Sequence, residues 1–212
     1  MRIINRKNPQ QLRAIYLIGG APCIGKTTVA KQLAKQLGIP RLETDTFSLR
    51  LQRQMSTELE PSLHLRGNRK VDDYYQEFNT PEKASQAERV RANRVADYIA
   101  HELMTGQIKG PIIIEGIAVT PSLVEVLQSA SLPVRIVFLY QPDYDKIASL
   151  VRHRGMWDKA HKYPDSYKQL EIDWTWHYQS TLIKEIKKAD MPLIECGEWA
   201  TLGTRLWDEL RF

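Results

Sequence analysis

Apolar runs and helical spacings alternate along this chain. Residues 14–18, AIYLI, are wholly apolar and stop at Gly19-Gly20, as a strand buried on both faces does. From Lys26 the period changes. Val29, Ala30, Leu33, Ala34 and Leu37 recur at three and four residues until Gly38 and Pro40 break the pattern, which predicts a helix. RLETD at 41–45 predicts a short second strand, PIIIEG at 111–116 a third, VRIVFL at 134–139 a fourth and PLIEC at 192–196 a fifth. Thr80-Pro81-Glu82 places a cap, a first-turn proline and an acid at the start of a helix running to about Met104, and Thr120-Pro121 opens another to about Ala130. Leu170, Trp174, Tyr178, Leu182 and Ile186 step by four, as do Leu202, Leu206 and Leu210, so two late helices each present a stripe to the core. Strands alternating with helices predict an α/β fold: a parallel sheet covered on both faces, with ligands at the carboxyl ends of its strands.

A length of 212 residues with 42% hydrophobic content fits one domain, residues 1–212, with a real core. No run reaches the ~18 apolar residues of a membrane span, and MRIINRKNPQ contains no secretory segment, so a cytoplasmic protein is expected. Two cysteines, Cys23 and Cys196, are too few for a disulfide scaffold and lack metal-ligand spacing; reduced thiols are expected. The net charge of +5 suits an anionic substrate or a solvated surface, and without a long basic block nucleic acid is the less favoured partner.

Within this frame, Gly20-Ala21-Pro22-Cys23-Ile24-Gly25-Lys26-Thr27 fits G-x-x-x-x-G-K-[ST], and it follows a strand and opens a helix as that motif requires. A triphosphate is well solvated in water, so a site must offer many donors at once. The N–H groups of a curled loop and a helix N-terminus do so, and glycines let the backbone approach. Lys26 is expected on the β and γ phosphates and the Thr27 hydroxyl on Mg²⁺, with Thr28 a weaker candidate. The N-K-x-D of a GTPase is absent, and PIIIEG supplies one acid, Glu115, where ATP-driven motors carry an Asp-Glu pair.

A kinase needs a carboxylate at the acceptor hydroxyl, positive charge over the moving phosphoryl group and an acceptor pocket. Asp45, at the predicted end of strand two, either orients or deprotonates an acceptor or caps the following helix. Glu115 either holds Mg²⁺ through water, serves as the alternative base, or pairs with a nearby lysine. Arg152 and Arg154 in LVRHRG either close over the phosphates or cap their helix. Arg91 falls on the inward stripe of its helix with Val95 and Ile99, so it wants an anion, from a protein carboxylate or from the substrate; Arg50 is a second acceptor-site candidate.

AIYLIGGAPCIGKTTVAKQLAKQLGIPRLETDTF, PIIIEGIAVTPSLV, FLYQPD and VRHRG together resemble the P-loop small-molecule kinases over residues 14–155, above all the 2-phosphoglycerate kinase-like branch. Adenylate, shikimate and gluconate kinases and chloramphenicol phosphotransferase are more distant relatives. The resemblance implies a P-loop NTPase fold with five parallel strands in the order 2-3-1-4-5, a small lid over about 150–165, and Mg·ATP as phosphoryl donor to a small-molecule hydroxyl; with the charge and the candidate arginines, a small, anionic metabolite is the expected acceptor. It matches Gly20, Gly25, Lys26 and Thr27 to the nucleotide loop, Asp45 to the acid after strand two, Glu115 to the acid of "EG", and Arg152 with Arg154 to the lid. The sequence departs from the family at Cys23, where glycine is frequent, and at Ile117-Ala118-Val119, where the branch often has a polar residue. The second departure argues against phosphoglycerate itself as acceptor. A nucleoside, nucleotide or polynucleotide kinase is the alternative within enzymes, and a nucleotide-binding regulatory module without phosphotransfer is the alternative outside them.

Overall fold

The computed structural model describes residues 14–65, 70–154, 164–197 and 199–210. Strands β1 (Ile15–Gly20), β2 (Arg41–Glu43), β3 (Ile112–Glu115), β4 (Val134–Tyr140) and β5 (Leu193–Glu195) form one sheet in the order β2-β3-β1-β4-β5, with every neighbouring pair parallel. Each expected strand is present in the expected order. The central strand β1 is buried at all six positions, which is why it reads as a continuous apolar run with no alternation. The edges β2 and β5 have three residues each and are mostly half-buried, as short edge strands are.

Eight helices surround the sheet among the described residues: α1 (Lys26–Leu37), α2 (Thr44–Gln54), α3 (Val71–Glu77), α4 (Pro81–Met104), α5 (Pro121–Ser129), α6 (Tyr144–Arg154), α7 (Asp165–Lys188) and α8 (Trp199–Leu210). Helices α1 and α8 pack on each other and on the sheet; α4 packs on α5 and α7. The two late stripes are core: Trp174, Tyr178, Leu182 and Ile186 of α7, and Leu202, Leu206 and Leu210 of α8, are all buried. Trp207 of α8 meets Tyr16 of β1 with ring centroids 6.4 Å apart. Both threonine caps form, Thr80 Oγ1 accepting from the Lys83 N–H and Thr120 Oγ1 from the Leu123 N–H, each at 3.3 Å.

Two strands end two residues away from the sequence reading, and β1 is the first: it runs on through Gly20 instead of stopping at residue 18. The second strand ends at Glu43 instead of residue 45, and Thr44 and Asp45 begin α2. A short 3-10 turn at Pro61–His64 and helix α3 were not anticipated. Residues 155–163, most of the expected lid segment, lie outside the described residues, as does the Arg154 side chain. No helix among the described residues is long and apolar enough to cross a membrane.

Candidate active site

Strand register sets the site. Ile18 of β1 lies level with Glu115 of β3 and Val137 of β4, and Glu43 of β2 is level with Glu115, so the carboxyl ends of the strands share one edge. The phosphate-loop sequence leaves β1 at that edge. Gly20 has φ +137°, and a Cβ added there would sit 2.4 Å from the Leu139 carbonyl oxygen, so only glycine fits between the loop and β4. Gly25 then opens α1 with no side-chain cap and no acid in the first turn. The Thr28 N–H turns back to the Gly25 carbonyl at 3.1 Å, and no side chain caps the N–H groups before it, as a helix start that takes an anion requires.

The third loop residue, Pro22, has no N–H, and the carbonyl of the peptide bond before it, Ala21 C=O, accepts a hydrogen bond from Lys26 Nζ at 2.5 Å. Lys26 therefore folds back over its own loop, 7% exposed. Burial lowers its pKa, and the carboxylates of Glu115 and Asp45 pull in the opposite direction. Cys23 has φ 62°, in the left-handed region that costs a side-chain-bearing residue about 1–2 kcal/mol. That conformation accounts for the glycine frequent at this position in the family it resembles. The side chain finds compensation in packing against a buried cluster of Ile147, Ala148 and Val151 of α6 and Ile172 of α7.

Glu115 is 2% exposed and takes a hydrogen bond from Arg41 Nη1 at 2.6 Å, while Arg41 Nη2 also pairs with Glu43 at 2.8 Å. The ion-pair partner in contact is thus an arginine from β2, while Lys26, the lysine near Glu115, acts on it through its charge. Burial raises the Glu115 pKa, against the lowering effects of Lys26, a hydrogen bond from the Thr27 side chain, and Arg41. Thr27 and Glu115 therefore meet, a hydroxyl and a carboxylate of the kind Mg²⁺ uses alongside waters and phosphate oxygens. Among the described residues no three His, Cys, Asp or Glu side chains cluster as a protein-only metal cage.

Asp45 stands exposed in the first turn of α2, next to buried Thr44. The turn after β3 fixes that helix end. Gly116 has φ +145°, and a Cβ there would fall 1.9 Å from Thr44 Oγ1, so glycine is what allows the turn after Glu115 to pack against the start of α2. Ser48, one turn beyond Asp45, accepts from Arg91 Nη1 at 3.2 Å, and Arg91 Nε bonds Glu88 at 3.0 Å. Of the two anions open to Arg91, the protein carboxylate is the one in contact. Arg50 is exposed with its guanidinium 5.9 Å from the Phe47 ring centroid, and Arg152 is exposed, donating to Gln169 Oε1 at 3.3 Å. Thr28 is exposed.

Sequence reasoning missed Arg41 and the thiol of Cys196, which donates to the Ile24 carbonyl of the loop at 3.3 Å. Neither carries a local signal. Arg41 reaches Glu115 only because β2 and β3 pair in the observed register, and Cys196 is far from the loop in sequence.

A curled loop opening a helix, a lysine folded over it, an acid at the end of β3 and another in the first turn after β2 define a P-loop α/β fold. Residues 15–155 match the AAA_33 family, described as an AAA domain, and the chain belongs to that family. Among solved structures it is similar to a gluconokinase from Sinorhizobium meliloti 1021 (16% identity, 94% of this chain and 93% of that one, TM-score 0.55). It is also similar to a shikimate kinase from Bacteroides thetaiotaomicron (15% identity, 94% and 99%, TM-score 0.52). A third likeness is to TT1252 from Thermus thermophilus (19% identity, 93% and 95%, TM-score 0.50). At these identities the likeness concerns the fold. No curated protein matches the chain.

The raised Glu115 pKa has a stability consequence in the ligand-free protein. The folded state binds this proton more tightly than the unfolded state, so stability falls as pH rises from the ordinary glutamate range through the folded pKa. Glu115→Gln mimics the protonated form and lacks that loss. The melting temperature of wild type relative to Glu115→Gln is expected to drop as pH rises from acid toward neutrality. A difference constant across that range would show that Arg41 and Lys26 fully offset the burial.

Proposed function

We propose that the protein is an ATP-dependent kinase that transfers the γ-phosphoryl group to a hydroxyl of a small, anionic metabolite. The observation that carries the reading is the meeting of Lys26, Thr27 and Glu115 at one sheet edge, with Asp45 near enough for its charge to act on Lys26. The loop from Gly20 to Thr28 would hold the nucleotide phosphates, and Thr27 with Glu115 would hold Mg²⁺, whose charge offsets that developing on the phosphate oxygens. Lys26 exchanges the Ala21 carbonyl for a phosphate oxygen, which restores a full counter-charge to a buried ammonium group. Asp45, in water at the mouth of the site, accepts the proton of the acceptor hydroxyl or orients it. Arg152 and Arg154, at the end of α6, would cover the phosphates and exclude water.

The acceptor would lie along α2, beside Asp45, with Arg50 and Arg91 bordering it. Arg91 is already engaged by Glu88, so an acidic acceptor group would have to share or displace that carboxylate. The folds named for gluconate and shikimate support a small-metabolite acceptor without identifying it.

The test is transfer of labelled γ-phosphate from Mg·ATP to a panel of hydroxy acids, sugars, nucleosides and oligonucleotides. An acidic metabolite is expected to be labelled. Asp45→Asn is expected to cut the rate by about 10²–10⁴-fold while leaving ATP affinity within about twofold. Tight ATP binding with no labelled acceptor would favour a regulatory module, and a labelled nucleoside or oligonucleotide would move the assignment to that class. Full activity in Asp45→Asn would remove Asp45 from the chemistry.

A further inference from the structure

Beyond the residues that face the substrates, three buried side chains tie the loop to the rest of the sheet edge. Gln179 of α7, 2% exposed, grips the backbone of Gln141 at the end of β4 from both sides: its Oε1 accepts the Gln141 N–H and its Nε2 donates to the Gln141 carbonyl, each at 2.8 Å. The Gln141 side chain, 6% exposed, donates to the Cys196 carbonyl at 3.1 Å and accepts the Asp143 N–H at 3.2 Å. Cys196 N–H in turn donates to the Tyr140 carbonyl at 2.7 Å, and the Cys196 thiol donates to Ile24 in the loop. Both side-chain amides use an oxygen as acceptor and a nitrogen as donor, so each is held in one orientation.

Residue 178, one position earlier in α7, binds the neighbouring loop. The Tyr178 hydroxyl donates to the Ile117 carbonyl at 3.1 Å, just past Gly116. One turn of α7 thus holds the chain after β3, after β4 and, through Cys196, after β5.

We infer that Gln179, Gln141 and Cys196 are positioning residues for the phosphate loop: together they fix the Ile24 carbonyl on the protein side so that the Gly25 N–H faces the nucleotide. The reason is the planarity of the trans peptide. The C=O and N–H of one unit point in opposite directions, so anchoring the Ile24 oxygen to Cys196 turns the Gly25 N–H away from it. A loop that holds several N–H groups inward before any anion arrives does not have to be ordered by that anion. The thiol suits this task because burial pushes its pKa up to about 11, which keeps it a proton donor at neutral pH. Asp143, held by Gln141, is also the residue whose Oδ1 accepts the Lys146 N–H at the start of α6, so the same clasp aligns the helix that carries Arg152.

The inference rests on the nucleotide reading of the loop, and its test separates the two. Cys196→Ala, Cys196→Ser and Gln179→Leu are compared with wild type by amide hydrogen exchange of the peptide spanning 19–28, by ADP affinity in calorimetry, and by thermal stability. Loop exchange is expected to quicken and ADP binding to weaken by about three- to tenfold in Cys196→Ala, the scale of one neutral hydrogen bond, with Cys196→Ser close to wild type in both. Gln179→Leu, which removes both bonds to Gln141, is expected to act in the same direction and more strongly. A role in stability alone would lower the melting temperature of Cys196→Ala without changing the ratio of ADP to adenosine affinity, and that result would overturn the inference. So would loop exchange and ADP affinity within twofold of wild type in a folded Cys196→Ala protein. If Gln179→Leu fails to fold, the two Cys196 variants decide the matter. Wild-type protein that binds no ADP would overturn the nucleotide reading alone, and the exchange rates would then decide the clasp.

Discussion

Replacing Lys26 by Met is expected to reduce phosphoryl transfer by about 10³-fold or more while leaving the protein folded. The ammonium is the charge best placed to follow the moving phosphoryl group, and loss of one such preorganised donor typically costs about 10²–10³ in rate even where it carries no full charge. Stability is expected to hold because Lys26 is nearly buried and its depressed pKa records what that burial costs. Methionine has similar length and none of the desolvation. Glu115 keeps Arg41 as a counter-charge. The check is single-turnover transfer together with a urea melt. Unimpaired transfer by Lys26→Met would end the kinase reading, whereas a collapsed melt would show that the Ala21 contact is a fold determinant.

Gly116→Ala is expected to be the most damaging small substitution at the site. The new Cβ would fall 1.9 Å from Thr44 Oγ1 and 2.9 Å from Thr44 Cβ, at a backbone φ of +145° that side chains rarely adopt. Thr44 is 2% exposed and cannot rotate out of the way, so either the turn or the start of α2 must move. Strain and overpacking together are expected to cost about 2–5 kcal/mol, a fall of roughly 5–15 °C in melting temperature for a chain this size. Because Asp45 follows Thr44, transfer should fall further than ATP affinity. Removing the obstructing atoms in Gly116→Ala/Thr44→Ala should restore part of the stability. A single variant melting within 1–2 °C of wild type would contradict the geometry.

The sheet was legible because parallel strands buried on both faces write themselves as uninterrupted apolar runs, and PIIIEG and VRIVFL could be little else. The loop was legible because its chemistry is contiguous. Where the reading slipped, the cause was short range or long range. RLETD was extended two residues too far because Thr44 and Asp45 serve equally as strand end and helix opening, and the contact with Gly116 that decides between them lies far along the chain. Helix α3 was overlooked although Val71, Tyr74, Tyr75 and Phe78 recur at three and four residues; the period was there to be read. Arg91 was correctly recognised as a cation in need of an anion, but sequence cannot reveal that Glu88, one turn earlier on the same helix, is buried alongside it. Arg41, Gln141, Gln179 and Cys196 were invisible as a group, since each acts through a register or a crossover.

The strand order also bears on how the molecule is made. Ile15 pairs with Ile112 on one side and with Val134 on the other, so the earliest made of the sheet's five described strands is flanked only by segments synthesised much later. A nascent chain ending at Met104 would already contain the whole GGAPCIGKTT stretch, yet with neither neighbour to lie against. Nucleotide added to such a stalled chain would find no cradle, and the apolar stretch would need sheltering until translation passes Tyr140.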